Sequence, residues 1–234
     1  MADVISWVPF YSALTGGVLT GAVAFGVSKL NHHYTLYREE KAAARKRHDE
    51  RLFITTELVF LLEQFAEGCA RVATDDGVRD EQDFMRTNQT CPEIDLNVIT
   101  GDWRSLEPGL MYAIRELPVL KGWSDREIAG MEESEGPPDY TRTIWERQYL
   151  YARLGLKAIL QARRLRKLAL LPGTRLDATK WSAQPVLWQV WRNERKRRAQ
   201  EHILWQRNLA AHQIKMQQHY ESRRKQQLNS GESQ

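Results

Sequence analysis

The chain is poor in cysteine. Only Cys69 and Cys91 occur among 234 residues, too few for a disulfide framework, and a reducing compartment is the plainer setting. The two do not form a CxxC pair. The six histidines, His32, His33, His48, His202, His212 and His219, make no HExxH and no Cys/His zinc spacing. GxxxxGK[ST], GxGxxG and GxSxG are absent too, so no nucleotide-binding or hydrolase signature can be read. The acidic residues Asp80, Glu81, Asp83, Glu93, Asp95 and Asp102 lack the DxDxDG spacing and late Glu of a calcium loop. The expectation is a non-enzymatic protein with no metal and no cofactor. Long apolar runs are scarce as well. Mean hydropathy is −0.57, and only one stretch stands apart.

That stretch is Val4–Ser28, which runs without a charged side chain between Asp3 and Lys29. About 20 apolar residues of helix, at about 1.5 Å each, suffice to cross a hydrocarbon core roughly 30 Å thick. A signal peptide would place positive charge before the run and cleavage after it. Here Lys29, Arg38, Lys41, Arg45, Lys46, Arg47 and Arg51 follow it. The reading is an uncleaved single-pass anchor. By the positive-inside rule the N-terminus lies outside and the remainder is cytoplasmic. Aromatic residues flank the run, with Trp7, Phe10 and Tyr11 near one edge and Tyr34 and Tyr37 near the other. Within it, Ala13, Gly17 and Gly21 recur every four residues. Such a face lets two helices approach closely in lipid. Self-association or packing on another membrane helix is one reading; the general abundance of glycine in membrane helices is the other.

Charge is unevenly spread over the rest. Residues 74–147 hold 17 acidic and 8 basic side chains, whereas 148–234 hold 18 basic and 5 acidic. Either the two parts pair within the chain or the basic part meets an acidic partner.

The expected fold class is all-α. Residues 31–50 are rich in helix formers and read as a charged stalk continuing the anchor. A helical domain with acidic loops follows over 51–172. Leu52, Ile54, Leu58, Leu61, Leu62, Phe65, Cys69 and Val72 step by three and four along one helix face. Gly109–Leu117 reads as a short helix stopped by Pro118. Ser124 and Glu127 read as a capping box opening another. A long helix is expected from Thr141 to Leu171, ended by Pro172-Gly173, as the antiparallel partner of 51–73 in a small bundle.

Residues 173–185 read as a linker, 186–228 as a basic helix, and 229–234 as a disordered tail. The basic helix sets Trp188, Trp191 and Trp205 among Arg192, Arg195, Lys196, Arg197, Arg198 and Arg207. Four uses fit: a protein partner, a lipid surface, nucleic-acid phosphates and bases, or the chain's own acidic residues. A solvated helix with a few packed tryptophans is the plainest of all. No known nucleic-acid motif is present.

The layout of anchor, charged stalk and small helical domain resembles that of many bacterial and phage inner-membrane proteins. The likeness is carried by residues 4–50 and implies no active site. The function expected is that of a membrane-anchored interaction protein. Its partners would be membrane lipid together with another protein or a second copy joined through the anchor. A membrane-tethered nucleic-acid binder is the alternative.

Overall fold

In the computed structural model, the backbone of residues 8–231 and the side chains of residues 32–221 are described. Four helices carry nearly all of it: α1 (Val8–Ala73), α2 (Pro108–Glu135), α3 (Thr141–Leu168) and α4 (Ala183–Gly231). Between α1 and α2 lie a two-stranded antiparallel ladder, β1 (Val78–Arg79) with β2 (Met85–Arg86), and two 3-10 turns at Leu96–Val98 and Trp103–Ser105. The chain is all-α, as its helix-forming composition implies. Two compact units divide it: Met1–Ile54 with Gly101–Ser105, and Thr55–Thr100 with Leu106–Gln234.

In the first unit, side chains 32–49 of α1 are exposed on every side. Lys46 and Glu50 make an exposed pair one turn apart at 3.9 Å. Gly101 lies against Ile54, where an added Cβ would stand 3.3 Å from the isoleucine Cβ. Among the described residues no helix is long and apolar enough to cross a membrane. Of the anchor expected over Val4–Ser28, residues 4–7 and all the side chains lie outside the described residues; from Val8 on only its backbone is described, as the start of α1.

In the second unit α3 is the central helix. One broad side of its middle turns is buried, at Leu150, Tyr151, Leu154, Gly155, Ala158 and Ile159, because other helices cover it there, while Arg153, Lys157 and Leu160 face outward. The end of α1 runs antiparallel to it. Glu63 takes both Nε and Nη2 of Arg166 at 2.7 and 2.9 Å, and Asp75, just past α1, reaches Arg147. Gly155 marks the closest approach. A Cβ there would meet Leu187 of α4 at 2.7 Å and Cys69 of α1 at 2.9 Å, so only glycine lets all three backbones come so near. Leu52, assigned to the buried stripe of α1 by its spacing, is instead 39% exposed; the buried row begins at Ile54 and continues through Leu58, Leu62 and Phe65.

Two expectations are corrected. Pro118 does not stop a helix, and Ser124 does not start one. Both lie inside the single helix α2, where the Ser124 hydroxyl donates to the Leu120 carbonyl at 2.9 Å. An interior proline costs roughly 3 kcal/mol. Leu110, Ile114, Leu117, Lys121 and Ser124 are buried at steps of four, three, four and three. That continuous face requires the helix to pass through the proline, and burying each leucine or isoleucine contributes about 1.5–3 kcal/mol. Tertiary packing thus outweighs the local signal. The acidic loops expected within 51–172 also contain the short ladder. Asp80 organises its turn, accepting from the N–H groups of Gln82 and Phe84 and from Arg86 Nε.

Candidate interaction surface

Helix α4 has two parts. The first lies antiparallel on α3 and the second extends past it. Leu187 is wholly buried against Gly155. Three turns later Arg198 donates to Glu146 at 2.6 Å and lies 4.0 Å from the Tyr149 ring centre. Arg197 lies 4.1 Å from the Trp145 ring centre and donates to Glu194 at 2.7 Å and to Glu201 at 2.5 Å. The Glu194 hydrogen bond outweighs partial burial and raises the Arg197 guanidinium further above its usual value. These two arginines hold α4 to α3 through charge and ring faces together.

The other basic residues of the expected contact surface remain outward. Arg192, Arg195, Lys196 and Arg207 are exposed, and Arg195 stacks over Trp191 at 4.8 Å. Trp188 and Trp191 stack on each other at 4.9 Å between ring centres. Trp205 stands in the second part of α4, 61% exposed, 6.3 Å from the ring of His202. Ala13, Gly17 and Gly21 lie four apart on the backbone of α1; their side chains are outside the described residues.

From Ala199 to Glu221 every side chain of α4 is exposed. This length is not uniformly polar. Trp205, Leu209, Met216 and Tyr220 share one side of the helix at steps of four, seven and four, and each is 41% exposed or more. On a helical wheel this side continues the row Leu187, Trp191, Glu194, Arg198 that docks the first part. The docking face therefore runs on beyond the helix it docks against.

Between α3 and the first part of α4 lies an open groove of about 430 Å³, floored by Leu156, Ile159, Leu160, Trp188 and Trp191. Arg153, Lys157 and Arg163 line its α3 side and Gln184 its α4 side. Lys157 is 3.7 Å from Glu116, and Arg163 pairs with Asp177.

Two polar clusters escaped sequence reading. In the first, Asp75, only 6% exposed, faces Arg147, 4% exposed, at 2.8 Å. The carboxylate also accepts from the N–H groups of Gly77, Asn88 and Gln89, and Arg147 donates to the Gln89 carbonyl. Burial would raise this carboxyl; the hydrogen bonds from Gln89, Arg147 and Gly77 outweigh it and hold the carboxyl below its ordinary range. In the second, Lys121 donates to Glu93 at 2.7 Å and Asp125 at 2.9 Å, and the buried Tyr151 hydroxyl donates to Asp125 at 2.6 Å. Burial and the Asp125 carboxylate both raise Tyr151, so its phenol stays protonated. Burial works against the Lys121 cation, but Glu93 and Asp125 prevail and raise it. The spacing of Lys121 and Asp125 hinted at a pair. Glu93 and Tyr151 are distant in sequence and gave no signal. The first cluster joins α3 to the segment after α1 and the second joins α2, α3 and that segment, both through satisfied hydrogen bonds, which is structural work. Among the described residues no three His, Cys, Asp or Glu side chains are grouped to hold a metal ion.

No known protein family, curated protein or solved structure matches this chain.

Proposed function

We propose that the protein is a single-pass, membrane-anchored interaction factor. Val4–Ser28 is the anchor, the N-terminus lies outside the inner membrane, and the helical unit works in the cytoplasm through protein contacts. The observation that supports this reading best is the second part of α4. Trp205, Leu209, Met216 and Tyr220 form an exposed apolar side that no other element covers among the described residues. Apolar side chains repeated along one helix face are the means by which helices dock into partners.

The test is a comparison of detergent-solubilised full-length protein with the variant Trp205→Ser/Leu209→Ser/Tyr220→Ser. A defined partner that co-purifies with the first and is lost from the second is the expected result. The same partner set on both would overturn the role of α4. The anchor is checked separately: the protein should stay in the membrane pellet after alkaline carbonate, and recovery in the soluble fraction without detergent would refute it.

The alternative, a membrane-tethered nucleic-acid binder, draws on the exposed Arg192, Arg195, Lys196 and Arg207 with Trp205. It has less to draw on than the sequence suggested, since Arg197 and Arg198 are already paired with Glu194, Glu201 and Glu146. Phosphate contacts would show as affinity falling steeply with salt, and neutralising the four exposed cations would flatten that slope.

A further inference from the structure

The groove between α3 and α4 has a geometry that selects its occupant. Its walls are two antiparallel helices. On α3 the lining residues Arg153, Lys157, Leu160 and Arg163 follow at steps of four, three and three; on α4 Gln184, Trp188 and Trp191 follow at four and three. These are the rows a third helix packs against, ridge into groove. Arg153 to Arg163 spans ten residues, about 15 Å of helix, or close to three turns. A docked helix of that length presents three or four apolar side chains at i, i+3 or i+4, and i+7.

The floor is open to solvent where a packed bundle would be closed. Leu160 is 49% exposed and Trp188 48%. Large apolar groups rarely lie together at a surface without a use. Tryptophan is also the residue most enriched at the energetic centre of interfaces.

The rim is cationic beyond what the chain itself neutralises. Arg163 has Asp177, and Lys157 has Glu116 at 3.7 Å. Arg153 lies over the Tyr149 ring at 5.5 Å, and one turn beyond the groove's lining Arg195 lies over Trp191 at 4.8 Å. Among the described residues neither has a carboxylate within ion-pair distance. Arg192 stands exposed between Trp191 and Arg195 in the same turns of α4.

We infer that this groove is a docking site for an acidic amphipathic helix of a partner protein, with apolar side chains on Leu160, Trp188 and Trp191 and carboxylates on Arg153 and Arg195. The inference rests on the reading of the chain as an interaction protein and names the chemistry of one partner. It uses a different surface from Trp205–Tyr220, so the two fail independently.

The experiment is selection of a phage-displayed library of helix-forming 16-residue peptides on the full-length protein in detergent. The enriched peptides should carry apolar residues at i, i+3 or i+4, and i+7, flanked by Asp or Glu. Their affinity should fall at least about tenfold on Leu160→Asp, and by a similar factor on Arg153→Glu/Arg195→Glu. Circular dichroism of each variant checks that it is folded, and Trp188→Ala provides a milder second probe of the same floor. Enrichment of basic or neutral peptides, no enrichment, or peptides that bind Leu160→Asp and Trp188→Ala as tightly as the wild type would overturn the inference. So would displacement of the selected peptides by vesicles of anionic lipid but not by a free acidic helix, which would assign the groove to lipid.

Discussion

The Asp75–Arg147 pair shows what one buried charge demands. Both side chains are almost without solvent, and every contact around them replaces water that the fold removed. Converting Asp75 to Ala leaves Arg147 with the Gln89 carbonyl and no counter-charge. The cost should be about 3–5 kcal/mol, read from urea unfolding. The pair also makes stability depend on pH. The folded-state carboxyl lies below its ordinary value, so its contribution is complete above the unfolded pKa, about 3.9. It is lost as pH falls through the lower, folded value. The urea midpoint should therefore drop between pH 5 and pH 3. In Asp75→Asn/Arg147→Met, which removes both charges together, the drop should be smaller. Asp80, Asp102, Glu63 and Glu135 are held low by hydrogen bonds as well, so the slope should shrink without vanishing. A double variant with the full wild-type slope would show that the pair is not responsible for it.

At the scale of the element, α3 ends in an unusual way. The Leu171 N–H returns to the Arg166 carbonyl at 2.9 Å and the Leu170 N–H to the Lys167 carbonyl at 3.4 Å, the paired bonds of a Schellman cap. Leu170 occupies the left-handed position, with φ of 53°, where glycine is the usual residue. Its side chain is 92% exposed, so it buries nothing to offset the strain. Leu170→Gly should stabilise the protein by about 1 kcal/mol, the strain relieved less the extra freedom of glycine in the unfolded chain. A lower or unchanged thermal midpoint would refute this. Gly155→Ala should do the opposite, losing about 1–3 kcal/mol as α3 is forced from Leu187 and Cys69. The two sites also mark what can be read from sequence. The end of α3 was legible within a few residues, because Pro172-Gly173 is a local signal. The helical class and the apolar row of α1 were legible for the same reason. The passage of α2 through Pro118 was not, since the packing that sustains it comes from a helix elsewhere in the chain. Nor was the Asp75–Arg147 pair, 72 residues apart. The groove needs two helices side by side to exist, so neither helix alone revealed it, although Trp188 and Trp191 stood out as aromatic residues in a basic segment.

For the molecule as a whole, α4 separates what holds the fold from what the fold presents. Leu187 is buried at the meeting of three helices; Leu187→Ala should cost about 2–5 kcal/mol through lost burial and the cavity left behind. Trp205, Leu209 and Tyr220 are apolar too, and on hydrophobicity alone their loss should matter as much. They are 61%, 42% and 66% exposed, so there is little burial to lose. Trp205→Ser/Leu209→Ser/Tyr220→Ser should leave the urea midpoint almost unchanged, within roughly 0.5 kcal/mol per site. Any small loss would come from weaker helix propensity in a segment with no tertiary support. The expected signature is a variant as stable as the wild type that has lost its partner, against Leu187→Ala, which loses stability first. If the triple variant unfolded as readily as Leu187→Ala, this length of α4 would be part of the core in solution, packed on a face that the chain by itself does not cover, and self-association through α4 would follow from a midpoint that rises with protein concentration.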